Sequence, residues 1–208
     1  LDEINNFWFV TGMGGGYVAQ FNLLTDEFID TIAVGSNPAL MTIDPINKTL
    51  FCSRMAMSMP GGNMEMMSNV ITGVHYTEEG MTPGQKFTSS EGLLAKELHA
   101  ITYDYNKENI ITASMSGDWL YKIPLEGGDI TSISLHVTDG YIEINEPKLL
   151  TPIQAVLLND SLIALSCNAP GDESEHLNGQ VQMWNINTNP ISRVTTYEFN
   201  ALSMPWHL

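Results

Sequence analysis

The sequence predicts an all-β protein of the β-propeller class, built from repeated four-stranded sheets. Three observations carry this. A module of turn, strand, polar turn and strand recurs, most clearly as Gly16-Tyr17-Val18-Ala19-Gln20-Phe21-Asn22-Leu23-Leu24-Thr25 and Gly179-Gln180-Val181-Gln182-Met183-Trp184-Asn185-Ile186-Asn187-Thr188. Weaker copies sit at Asn69–Thr72 and Asp118–Ile123, and the spacing of roughly 50–60 residues is that of propeller blades. A second register repeats independently. Pro38–Phe51 aligns with Leu98–Ile111, each a pair of short apolar strands around an Asn-Lys turn, and Pro152–Leu158 with Ser161–Ser166 is a third copy turning at Asn159-Asp160. Finally, no stretch has a convincing helical period; Glu91–Leu98 has room for one short turn.

Taken in order, Phe7–Thr11 reads as a strand and Gly12-Met13-Gly14-Gly15-Gly16 as a β-turn with φ > 0 positions. A phosphate loop needs a following helix N-terminus, and here a strand follows. Tyr17–Asn22 and Phe28–Val34 are strands across the polar turn Leu24–Glu27. The second register joins these modules into blades at about 7–34, 39–89, 99–136 and 153–197, with the start of a further blade at 205–208, all in one propeller domain spanning 1–208. The first blade lacks an innermost strand, and Pro205–Leu208 has the character of one. Two arrangements fit: a fragment of a larger, seven-bladed ring, which the mid-module ends favour, or a four-bladed ring closed by Pro205–Leu208.

The chain has 208 residues, 43% hydrophobic and 15% charged, with a net charge of −16 from 24 acidic and 8 basic side chains. That length buries a sizeable core. The charge speaks first to solubility. It opposes nucleic acid and anionic membrane surfaces, whose phosphates it repels, and is compatible with a cationic ligand or a metal ion. No apolar run approaches the ~20 residues needed to span a bilayer. Leu1 is not a methionine, which suggests a missing or processed N-terminus. Cys52 and Cys167 fall in different repeats and read as small buried hydrophobes. Trp119, Trp184, Tyr121 and Phe21 occupy corresponding strands and read as core.

Asn37-Pro38-Ala39-Leu40-Met41-Thr42-Ile43-Asp44-Pro45 followed by Lys48-Thr49-Leu50-Phe51-Cys52 resembles the repeat of the YVTN-type β-propellers. Leu98–Ile101 with Lys107–Ala113 follows the same pattern, and Asn22–Thr25 and Asn185–Thr188 are similar to that family's Asp-x-x-Thr turn. The resemblance covers nearly the whole chain outside its insertions. It implies a propeller related to lactonases, the N-terminal domain of nitrous oxide reductase, methylamine dehydrogenase heavy chains and bacterial surface or periplasmic proteins. Ala39 and Ile153 stand where the repeat usually has histidine, so a full ring of inward histidines is not present.

Candidate chemistry concentrates in three insertions. In Arg54–Ser68, six of the chain's 12 methionines lie between Met55 and Met67. Thioethers are soft ligands suited to Cu(I), so Met55, Met57, Met59, Met64 and Met66 form a candidate copper site, with Cys52 or His75 able to complete it. The same composition suits a packing or partner surface. His99 and His207 begin inner strands and are candidate channel-facing ligands. Asp139–Thr151 and Pro170–Asn178 are acidic loops without the ligand spacing of an EF-hand. No Gly-x-Ser-x-Gly elbow occurs; Asp118 and His99 are the acid–base residues available to a lactonase-like reaction. The leading expectation is a non-enzymatic binding or scaffold propeller, periplasmic, cell-surface or secreted, that takes a protein or small-molecule ligand over its channel. Copper binding or electron transfer through the methionine loop is the first alternative, and a lactonase-like hydrolase the second.

Overall fold

A computed structural model describes residues 1–55, 70–88, 98–115, 117–138, 141–142, 150–168 and 179–199. The chain divides into two compact units, Leu1–Leu98 and His99–Leu208.

The first unit holds two antiparallel meanders. β1 (Phe7–Gly12), β2 (Tyr17–Asn22) and β3 (Phe28–Ala33) make a three-stranded sheet. β4 (Pro38–Asp44), β5 (Thr49–Arg54), β6 (Val70–Thr77) and β7 (Gly80–Thr88) make a four-stranded one. Phe7, Phe9, Val18, Leu50, Cys52, Val74 and Tyr76 pack together between them, with Tyr76 meeting both Phe7 and Phe9 edge-on. The second unit repeats the plan with β8 (Leu98–Asp104), β9 (Asn109–Ser114), β10 (Trp119–Pro124) and β11 (Thr131–Ser134), then β14 (Pro152–Asn159), β15 (Leu162–Cys167), β16 (Gln180–Asn185) and β17 (Ser192–Glu198). A small ladder, β12 (Val137–Thr138) with β13 (Tyr141–Ile142), lies between these sheets in sequence, where a loop was expected. The core of this unit runs from Ala100, Ile111 and Leu120 of one sheet to Ile163, Leu165 and Trp184 of the other. β8 and β9 are buried along their whole length, which is why their sequences are apolar runs rather than alternations.

Among the described residues an aspartate-capped hairpin turn of one design recurs three times. Asp44 Oδ1 accepts the amides of Ile46 and Asn47, and Lys48 then turns left-handed at φ 48°. Asp104 accepts from Asn106, with Glu108 at φ 50°. Asp2 accepts from Ile4 and Asn5, with Asn6 at φ 61°. The short aspartate side chain mimics a turn of backbone. Asp2 bridges Phe7 as Asp44 pairs with Thr49, so the first sheet keeps this hairpin turn although only three strands are assigned to it.

Two expectations need correction. Trp119, read as core, is 37% exposed, because it is the first residue of β10 and sits at the end of the sheet. Phe21 is half-buried and stacks on Trp8 with ring centroids 4.1 Å apart. Trp184 and Tyr121 are buried as expected. The glycine run is a 3-10 turn over Met13–Gly15 in which Gly16 alone is left-handed, at φ 69°.

Candidate functional site: a polar groove in the second unit

In three of the sheets the amide after the outer strand returns to the carbonyl just before the strand paired with it. Val34 N donates to Gly16 O, Leu135 N to Asp118 O, and Phe199 N to Gly179 O. Gly16, Asp118 and Gly179 are therefore equivalent positions, as the sequence alignment of the modules requires. The position is left-handed in both Gly16 and Asp118, at φ 69° and 50°. Glycine takes that conformation without penalty, whereas aspartate needs local support.

Asp118 has that support. Its carboxylate accepts from His136 Nε2 at 2.8 Å, Leu150 N at 2.7 Å and Thr151 N at 3.1 Å, and its side chain is 2% exposed. His136 directly follows Leu135, so its counterpart in the first unit is Gly35. A pair of glycines, Gly16 and Gly35, thus stands in the first unit where a bonded Asp118–His136 pair stands in the second. The room left at Gly35 is used: the guanidinium of Arg54 lies where a Cβ would project and donates to Val34 O, to which Thr72 Oγ1 also donates. In the second unit Leu135 O is bonded by Gln182 Nε2 and Arg193 Nη1, both at 3.3 Å.

Beside this junction lies a groove of about 290 Å³ lined by Leu135, His136, Leu150, Gln180, Gln182, Arg193, Thr196 and Glu198. Strand register explains its composition. Gln180 pairs with Glu198, Gln182 with Thr196 and Trp184 with Arg193, so one face of the β16–β17 ladder carries all six. Strict alternation from Thr196 would place Val194 on this face and Arg193 on the other. The bulge opposite Met183/Trp184 skips Val194 and brings Arg193 round. The amides are oriented from below. Trp184 Nε1 donates to Gln182 Oε1, and Gln182 Nε2 donates to Gln180 Oε1.

Of the sequence-derived metal candidates, Met55 and His99 are described. Met55 directly follows β5, and its amide donates to Asn37 O. His99 lies near the start of β8, buried, with Nδ1 2.7 Å from Ile153 O. Burial lowers its pKa, while the carbonyl bond pulls the other way. Met57, Met59, Met64, Met66 and His207 lie outside the described residues. Cys52 is buried, and desolvation pushes its thiol up to about 12 despite the nearby Arg54 charge. Cys167 is buried and its thiol is also raised, by desolvation first and by Asp118 second. His75 is exposed and exchanges a 3.0 Å hydrogen bond with Thr49. His136, Arg193 and Glu198 drew no assignment from sequence, because the bulge and the Asp118 turn that gather them leave no periodic trace.

No protein-family model and no curated protein matches the sequence. Solved structures do match. Hydrazine synthase of Kuenenia stuttgartiensis superposes with a TM-score of 0.67 at 12% identity, covering 93% of this chain and 46% of that one. A functionally unknown protein of Desulfotomaculum acetoxidans gives 0.61 at 16% identity, over 91% and 51%. A chain of the mitotic checkpoint complex gives 0.60 at 12%, over 96% and 49%. These neighbours are propeller structures. The fold is a β-propeller. The sheets described above are its blades, and the chain spans about half the length of the structures it matches. Among the described residues no helix is long and apolar enough to cross a membrane.

Proposed function

We propose that this chain is a non-enzymatic binding or scaffold propeller of the YVTN type, working outside the cytoplasm. The observation that carries the reading is how Asp118 is used. It was the available acid–base carboxylate, and its oxygens are occupied by two backbone amides and the His136 imidazole. A carboxylate so engaged positions chain rather than exchanging protons with a substrate. His99 is likewise bonded to a backbone carbonyl. The groove beside the Asp118–His136 pair offers convergent polar side chains on a rigid ladder, the usual form of a recognition surface. The acidic, lysine-poor composition and the resemblance to surface and periplasmic propellers support the location.

The test pairs binding with turnover. Short peptides and soluble glycans are selected on the wild-type chain and counter-screened on Glu198→Ala and Thr196→Val. Ligands held by the wild type and lost by both variants are expected. Simple lactones are offered in parallel. Hydrolysis that disappears in Asp118→Asn would overturn the reading in favour of a hydrolase.

A further inference from the structure

We propose that the groove on β16–β17 is a subsite for a neutral polyhydroxylated ligand, a sugar ring, presented free or as part of a partner's glycan. The inference rests on the binding reading above and narrows it to a ligand class.

The lining decides the class by exclusion and then by fit. Arg193 and Glu198 mark opposite ends of one ladder face, with the Gln182–Thr196 rung between them. Rungs on one face lie roughly 7 Å apart along a strand. A cation is opposed by the guanidinium end and an anion by the carboxylate end. A free amino acid carries its two charges on one carbon, far closer together than these two rungs. An apolar ligand would strip water from the Glu198 carboxylate and the Thr196 hydroxyl, both of which line the groove, and a polar group buried without a partner is costly.

A hydroxyl both donates and accepts, so a ring of hydroxyls seated at the Glu198 end of the face can use donors and acceptors alike. Glu198 accepts. Gln180 keeps its Nε2 for donation, since its Oε1 is taken by Gln182. Thr196 does either. His136 commits Nε2 to Asp118 and presents Nδ1 as the remaining ring nitrogen. Most of these are planar side chains, which meet vicinal hydroxyls two at a time, and Leu135 and Leu150 supply apolar contact for the C–H face of a ring. The donors are pre-oriented through the Trp184–Gln182–Gln180 chain, so little ordering is required on binding.

The experiment is isothermal titration of the full chain with maltose, N,N′-diacetylchitobiose and a glycosylated peptide beside its bare counterpart. At least one sugar is expected to bind saturably, with a dissociation constant that stays within about twofold between roughly 50 and 500 mM salt, as a neutral ligand requires. Gln180→Leu and Thr196→Val each weaken it about tenfold with the unfolding midpoint unchanged; Thr196→Val preserves shape and guards against a misfolded Gln180 variant. Binding of the glycopeptide but not the free sugars locates the source on a partner and supports the same chemistry. No saturable binding of any sugar, or binding only of peptides and weakening with salt, overturns the proposal. The second outcome leaves the binding propeller standing, whereas lactone turnover dependent on Asp118 removes both.

Discussion

Replacing Asp118 by glycine puts the equivalence of blade turns to a quantitative test, because glycine is what the first and fourth blades use at that position. The substitution has two opposing effects. It relieves a non-glycine residue at φ 50°, worth about 1 kcal/mol. It also deletes the acceptor for the amides of Leu150 and Thr151, both buried. Hydrogen bonds to a charged group contribute about 1.5–3 kcal/mol each, so the two together are worth about 3–6 kcal/mol. The net expectation is a loss of about 2–5 kcal/mol, a large share of an ordinary domain's stability. Asp118→Asn keeps one carbonyl acceptor and tolerates the left-handed backbone, so its loss is about half as large. Urea unfolding followed by tryptophan fluorescence measures both, with Trp184 reporting from inside the same unit. An Asp118→Gly midpoint equal to or above wild type would refute the reasoning, showing that backbone strain outweighs the carboxylate's three bonds.

Trp184 is wholly buried and its indole anchors Gln182; Trp184→Ala costs about 3–5 kcal/mol, and a midpoint within error of wild type in chemical denaturation contradicts the packing. Thr151 is β-branched yet sits at φ 51°, where its counterpart before the proline of the second blade is Asn37, also at φ 51°; Thr151→Asn raises stability by about 0.5–1 kcal/mol, and a fall would show that the threonine side chain matters more than its backbone. His99 has a folded pKa below the usual imidazole value because it is buried. The folded state therefore prefers the neutral ring, a contribution fully present above the unfolded value of about 6.5 and lost as pH falls through it toward the lower folded value. The unfolding midpoint drops between pH of about 7.5 and 5.5, and His99→Gln shrinks that drop; an equal drop in the variant assigns it elsewhere.

The blade plan was legible because each repeat reuses the same turn chemistry. Asp44 and Asp104 cap their hairpins, Asn22 and Asn185 accept the amides two residues on, and proline opens both β4 and β14, so composition and position coincide. Asp2–Asn6 is a third hairpin turn of the same kind that escaped notice, since without a paired apolar strand before it the pattern has only one side. The groove was not legible. Its face depends on one skipped residue, Val194, and a bulge shifts register without changing the hydrophobic count. The pair beside it, Asp118 and His136, is bonded across 18 residues, at positions where the first blade has Gly16 and Gly35. Trp119 was misplaced for a related reason: residue type suggests packing, but the end of a sheet has no neighbour above it.

The two junction carbonyls, Val34 O and Leu135 O, receive guanidinium groups from different strands: Arg54 comes from β5 of one blade and Arg193 from β17 of another. What is inherited from blade to blade is an acceptor at a fixed place in space, and any long cationic side chain within reach can serve it. Selection then acts on occupancy of a location rather than on identity in a column. Successive blades can then differ in spelling beside the junction, as Gly35 and His136 do, and keep the same bond to its carbonyl.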